Sequence, residues 1–215
     1  MVYVKWVFWI TFWVLVASVL HYTLPQHDVV RVVKTEVRRV DFGDNALFWA
    51  QQDTGQESAT TTNRDVRFIE TFYADGSPMV FRNEDTGWGW PPYFKLDSSN
   101  LQAELTDLTS TKEDPQWVVV RHYGWRNQFF SIFPNAVASK AVEGPDYKVT
   151  NWFNIVFLTM LASLVWAIYV RWRRFRRARI DPMLEQMEDK AYAAGDAIAE
   201  KRGRIGRWLD GWKKK

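Results

Sequence analysis

Two uncharged apolar runs constrain this chain more than any other feature. Residues 6–20 read WVFWITFWVLVASVL and continue through HYTL to Pro25, and residues 152–170 read WFNIVFLTMLASLVWAIYV. A helix needs about 20 mostly apolar residues to cross the hydrocarbon of a bilayer. The second run supplies them outright, and the first does so with its interfacial ends included. The sequence therefore predicts two membrane spans, which rules out a single soluble core. A cleaved signal peptide is the rival for the first run, which is short and lies near the amino terminus. Lys5 is the only basic side chain ahead of that run, however, and no clear A-x-A cleavage site follows it. Both points favour an uncleaved anchor.

Orientation follows from the charges beside the spans, because Lys and Arg are retained on the cytoplasmic side and long loops carry little weight. RWRRFRRAR follows the second run directly and holds Arg171, Arg173, Arg174, Arg176, Arg177 and Arg179 with no acid before Asp181. Both termini are then cytoplasmic, and residues 25–150 lie outside, which in a bacterium means the periplasm. The formal charge of +3 divides accordingly: from Arg171 onward there are 14 basic and 7 acidic side chains, whereas residues 25–170 hold 13 basic and 18 acidic. An acidic outer domain is thus joined to a basic inner tail, and only the tail suits anionic lipid. The chain has no cysteine, which excludes disulfides, thiol catalysis and thiolate metal sites.

The outer segment reads mainly as strands. DVVRVVKTEVRRVDF from Asp28 is β-branched and long enough for one bent strand. QQDTGQESATTTN at 51–63 is too polar to pack and reads as a mobile loop. RDVRFIETFY and PMVFRN flank Asp75 and Gly76 and predict a hairpin. In DSSNLQAELTDL, Leu101, Leu105 and Leu108 recur at helical spacing with Ser98 or Ser99 as the cap. QWVVVRHY and QFFSIF, joined across 124–127, predict a second hairpin. Three strands, a helix and two strands is the element order of an OB-fold. The expected class is a membrane α plus β protein, with two transmembrane helices flanking a small, mainly β, OB-like periplasmic domain and a C-terminal amphipathic helix. Its expected segments are an anchor at 1–24, the outer domain at 25–150, the second span at 151–170 and the tail at 171–215.

Four longer segments carry a resemblance: LHYTLPQHDVV at 20–30, RNEDTGWGWPPYFKLDSSNLQAE at 82–104, HYGWRNQFFSIFPNA at 122–136 and RIGRWLD at 204–210. They resemble the shared segments of an uncharacterised bacterial membrane family, the domain-of-unknown-function family numbered fifteen twenty-three. The resemblance implies an inner-membrane protein of similar layout and brings no catalytic residue, substrate or cofactor with it.

The candidate sites therefore rest on the residues themselves. In NEDTGWGWPPYF at 83–94, Glu84 and Asp85 are adjacent and would point to opposite faces of a strand, which favours a solvated or capping acidic turn over acid–base catalysis. Trp88, Trp90, Tyr93 and Phe94 have two readings: rings that close the end of a small barrel, or a flat contact surface for a partner or ligand. Trp125 and Arg126 join them as candidate contacts, with a stacked cation–π pair as the structural alternative. Trp6, Trp9 and Trp13 form a stripe on one face of the first span, either packed near Ala162 and Ser163 or touching another membrane subunit. His122 reads as a satisfied strand histidine, since His21 and His27 give no metal-ligand spacing.

Asp181 and Pro182 predict the start of a new helix. Beyond it, Arg204, Ile205, Arg207, Trp208, Leu209 and Trp212 make an amphipathic, lipid-interface pattern. No G-x-S-x-G, P-loop or post-strand G-x-G-x-x-G is present. The sequence thus predicts no catalytic site, metal site or cofactor, and no nucleic-acid partner. It predicts a protein that acts by binding membrane lipid and a membrane-protein partner or a second copy, as an accessory, assembly or scaffold factor. A periplasmic module for cell-wall sugar or lipid is the alternative, and a membrane-anchored hydrolase the weaker third.

Overall fold

The computed structural model describes residues 2–41, 63–190 and 192–193. The polar stretch at 51–62 and the tail residues Arg204, Ile205, Arg207, Trp208, Leu209 and Trp212 lie outside them. The chain divides into two compact units, Met1–Asn154 and Ile155–Lys215.

The first unit opens with α1, Val2–Thr23, apolar on every face and exposed along its length. Pro25 ends it, and the chain passes directly into β1, Gln26–Asp41. This strand is long because it serves two neighbours. Its first part, from Gln26 to Arg31, pairs antiparallel with β4, Trp117–Tyr123, and from Arg31 onward it pairs with β2, Asn63–Phe72. A bulge between Val32 and Lys34 marks the change of partner and supplies the expected bend. β2 turns at Asp75 and Gly76 into β3, Pro78–Asn83, as the sequence predicts. There Gly76 takes a φ of +82°, and Asp75 accepts the Ser77 amide at 2.8 Å. The strands close a barrel in the order β1-β2-β3-β5-β4, sealed by the parallel pairing of Arg82 with Asn135 of β5, Asn135–Val142.

Between β3 and β4 lies α2, Ser98–Asp107, which inserts Leu101 and Leu105 into the core beside Val30, Val32, Ile69, Phe81, Val118, Val120 and Ala136. Its cap is Asp97, not Ser98 or Ser99. The Asp97 carboxylate accepts the amides of Ser99 at 3.1 Å and Asn100 at 3.0 Å. Ser98 is otherwise engaged, its amide by Asp85 at 2.7 Å and its hydroxyl by Arg67 at 3.1 Å.

The second hairpin differs from expectation. β4 pairs with Asn135–Val142 instead of QFFSIF, from Tyr123 opposite Asn135 to Trp117 opposite Val142. QFFSIF lies in a tight loop pinned by reciprocal Asn127 and Ile132 backbone bonds of 3.1 and 2.9 Å, with Ser131 at a φ of +52°. Small side chains suit the true strand, because Ala136 lies fully buried against the core.

The second apolar helix, α3, Trp152–Phe175, begins in the first unit and continues into the second. Asp181 does not start a new helix there. The helix runs on to Lys190 through a single π turn, Arg176–Ile180, with Asp181 itself in helical geometry. The Asp181 amide reaches back to the Arg176 carbonyl, five residues away, and its carboxylate takes the Arg176 Nε at 3.2 Å. The wider turn accommodates Pro182, which lacks an amide and would crowd the carbonyl four residues earlier in a regular helix.

Candidate functional site

The last turn of α1 is where the rest of the first unit converges. The Gly124 amide donates to the Tyr22 carbonyl at 2.9 Å, Trp125 Nε1 donates to His21 Nδ1 at 3.0 Å, and the Tyr93 hydroxyl donates to the Thr23 carbonyl at 2.7 Å. The Pro25 carbonyl accepts from Asn151 at 2.6 Å and Asn154 at 2.9 Å, which binds the start of α3 to the same place. The end of α1 and the first residues of α3 therefore meet the barrel at one end, together with the loops 84–97 and 124–134.

Loop 84–97 is a closed excursion. Thr86 and Gly87 donate their amides to the Lys95 carbonyl at 3.0 and 3.2 Å, and Lys95 returns its amide to the Thr86 hydroxyl at 3.1 Å. Gly87 sits at a φ of +50°, where a Cβ would be strained, and the Trp90–Pro91 peptide is cis. The four aromatics split between the two readings. Tyr93 is half-buried and stacks on Tyr123 with centroids 4.7 Å apart, completing the barrel end. Trp88 and Trp90 are 80% and 75% exposed, and Phe94, edge-on to Trp88 at 5.2 Å, is also exposed.

Loop 124–134 holds Trp125 edge-on to Tyr22, with centroids 5.2 Å apart. The suggested Trp125–Arg126 stack is absent: Arg126 lies over Phe133 at 4.4 Å and donates to the Ile132 carbonyl at 2.9 Å. Phe129 and Phe130, which the sequence reading placed on a strand, project from this loop, Phe129 being 88% exposed. The first-span tryptophans Trp6, Trp9 and Trp13 are each more than half exposed, and neighbouring pairs with Phe8 and Phe12 meet edge to face.

Beneath these rings the barrel end is polar and buried. Glu84 is not a solvated turn residue: it is 5% exposed and meets the buried Arg82 guanidinium at 3.2 Å. Asp85 does cap, through the Ser98 amide. Asn135 binds both backbone groups of Glu84, accepting its amide at 2.9 Å and donating to its carbonyl at 3.1 Å, and so acts as an extra rung of sheet. Lys95 turns its amine inward to Asn83 Oδ1 and to the Ala136 carbonyl at 2.7 Å. Burial pushes that amine down to about 7, with Asp85 and Glu84 opposing the shift.

A second cluster joins Asp28, His122 and Tyr73. One carboxylate oxygen of Asp28 accepts from the Tyr73 hydroxyl at 2.8 Å and pairs with His122 Nε2 at 3.0 Å. Burial would raise the Asp28 carboxyl, but the bonds from His122 and Tyr73 outweigh it and hold it below its ordinary range. The expected satisfied histidine is thus half satisfied, since His122 Nδ1 is buried without a partner. The cluster borders a pocket of about 720 Å³ that Met79, Trp125 and Ile132 also line. Among the described residues no group of three or more His, Cys, Asp or Glu side chains is placed to hold a metal.

The model of the family DUF1523, a protein of unknown function, matches residues 1–176. The chain belongs to this family. The DUF1523 match takes in α1, the barrel and α3 and ends at the first residue of the π turn, so its unit is helix, barrel, helix. An uncharacterized protein of Haemophilus influenzae is 40% identical over 154 residues, covering 70% of this chain and 82% of the relative. No solved structure matches.

Proposed function

We propose that this DUF1523 member is a two-pass bacterial inner-membrane protein that acts by binding, as an accessory or assembly factor of a larger membrane complex. One observation carries the reading: α1 bears Trp6, Trp9 and Trp13 at helical spacing on one face, each more than half exposed. At 22 residues, α1 rises about 33 Å, enough for a hydrocarbon layer about 30 Å thick. Six arginines in the last turns of α3 and the π turn after it support a cytoplasmic carboxyl terminus and an outer barrel. The exposed stripe of Trp6, Trp9 and Trp13 supplies the contact with a membrane-protein partner or a second copy. Strand order and the place of α2 support an OB-like barrel.

The size of the native particle tests this. After mild solubilisation through a carboxyl-terminal tag, the protein is expected to migrate with a larger assembly, and Trp6→Leu with Trp9→Leu and Trp13→Leu to release it with the barrel still folded. A wild-type chain that migrates as a lone monomer defeats the proposal. The pocket beside Asp28 supports a second reading, a ligand module for cell-wall sugar or lipid. Trp125 lines that pocket, so quenching of its fluorescence by such a compound would favour this second reading.

A further inference from the structure

We propose that the aromatic rim of the barrel is a lipid contact: Trp88, Trp90, Phe94, Phe129 and Phe130 sit in the headgroup region of the outer leaflet and seat the barrel on the bilayer. The inference rests on the two-pass reading and names what the rim touches. Its geometry comes from α1. If that helix crosses the bilayer, its last turn lies at the outer edge of the hydrocarbon. Each loop is bonded to that turn, one through Tyr93 to Thr23 and the other through Gly124 to Tyr22 and Trp125 to His21. The side chains projecting from these loops are therefore at interfacial depth.

Their chemistry suits that depth. Tryptophan and tyrosine concentrate at membrane interfaces, where apolar ring surface leaves water while the polar edges stay hydrated. Moving apolar surface out of water is favourable, and the rings flank the point where the last turn of α1 already holds the barrel. Lipid therefore meets the rim without a second binding event. The surface of α2 is of opposite character. α2 packs farther along β1, with Thr35 bonded to Thr106 at 2.7 Å, and exposes Glu104 and Asp107. A protein partner on the rim would have to displace this lipid.

The test uses the full chain in vesicles of phosphatidylethanolamine and phosphatidylglycerol. Because the sequence lacks cysteine, single variants Trp90→Cys, Phe129→Cys, Ala103→Cys on α2 and Ala162→Cys in α3 can each carry one fluorescent label. Lipids with a quencher near the headgroup are expected to quench labels at 90 and 129 several-fold more than the label at 103. Aqueous iodide should show the reverse order. A deep acyl-chain quencher should reach the label at 162. If 162 is quenched by the deep probe while 90 and 129 respond to iodide as 103 does, the spans stand and the lipid contact is overturned. Shielding of 90 and 129 only in native membranes, and not in vesicles, would overturn it in favour of a protein partner. If the deep probe fails at 162, the two-pass reading falls, and the lipid contact with it.

Discussion

Replacing Arg82 with methionine is expected to destabilise the barrel by about 3–5 kcal/mol, the usual cost of removing one member of a buried ion pair. Arg82 and Glu84 are 3% and 5% exposed and lie 3.2 Å apart at the seam where β3 meets β5. The substitution keeps the aliphatic stem but removes the guanidinium that meets the buried Glu84 carboxylate. The double variant, Arg82→Met with Glu84→Leu, removes both members of the pair and is expected to recover most of the loss. Chemical unfolding of the detergent-solubilised chain, followed by near-ultraviolet circular dichroism of the stacked tyrosines, reads both. A single variant within about 1 kcal/mol of wild type would show that the pair is not desolvated as described.

The second large effect is one of pH. Burial holds the Lys95 amine at about 7 in the fold, against an ordinary 10.5. Between those values the unfolded chain binds more protons than the folded one, so stability rises with pH across the window. The contribution is up to about 1.4 kcal/mol per pH unit. Below 7 the amine is protonated in both states and adds no further dependence. Above about 10 the trend turns, because burial raises the hydroxyl pKa of Tyr73 and Tyr93 while the unfolded tyrosines ionise. The unfolding midpoint is thus expected to climb from pH 7 to about 10 and then fall. In Lys95→Met the climb should flatten. A wild-type midpoint independent of pH through that range would contradict the buried amine.

What was legible in the sequence follows from the range of each signal. The apolar runs, the bent first strand, the Asp75–Gly76 hairpin and the Leu101–Leu105 helix are local patterns and were readable from spacing alone. β5 was not, because NAVASKAV is small and partly polar while QFFSIF beside it has the composition of a strand. Its aromatics serve the surface, and the core at that strand takes Ala136. The helix cap moved to Asp97 because Arg67 and Asp85, far off in sequence, claim Ser98. The same holds at the candidate site. Trp88 and Trp90 were visible as candidates, but whether their rings faced inward depended on Tyr93 filling the barrel end. The Asp28–His122 pair joins residues 94 positions apart, and the burial of Lys95 runs against the residue's habit, so neither had a local signal.

The central claim, that both apolar helices cross the membrane with the barrel outside, is tested most directly by cysteine labelling in intact cells. The account predicts that Ala103→Cys on α2 reacts with a membrane-impermeant maleimide in intact cells. Lys190→Cys, beyond the π turn, should react only after the inner membrane is opened. Reaction of both in intact cells, or of Ala103→Cys only after lysis, would contradict it.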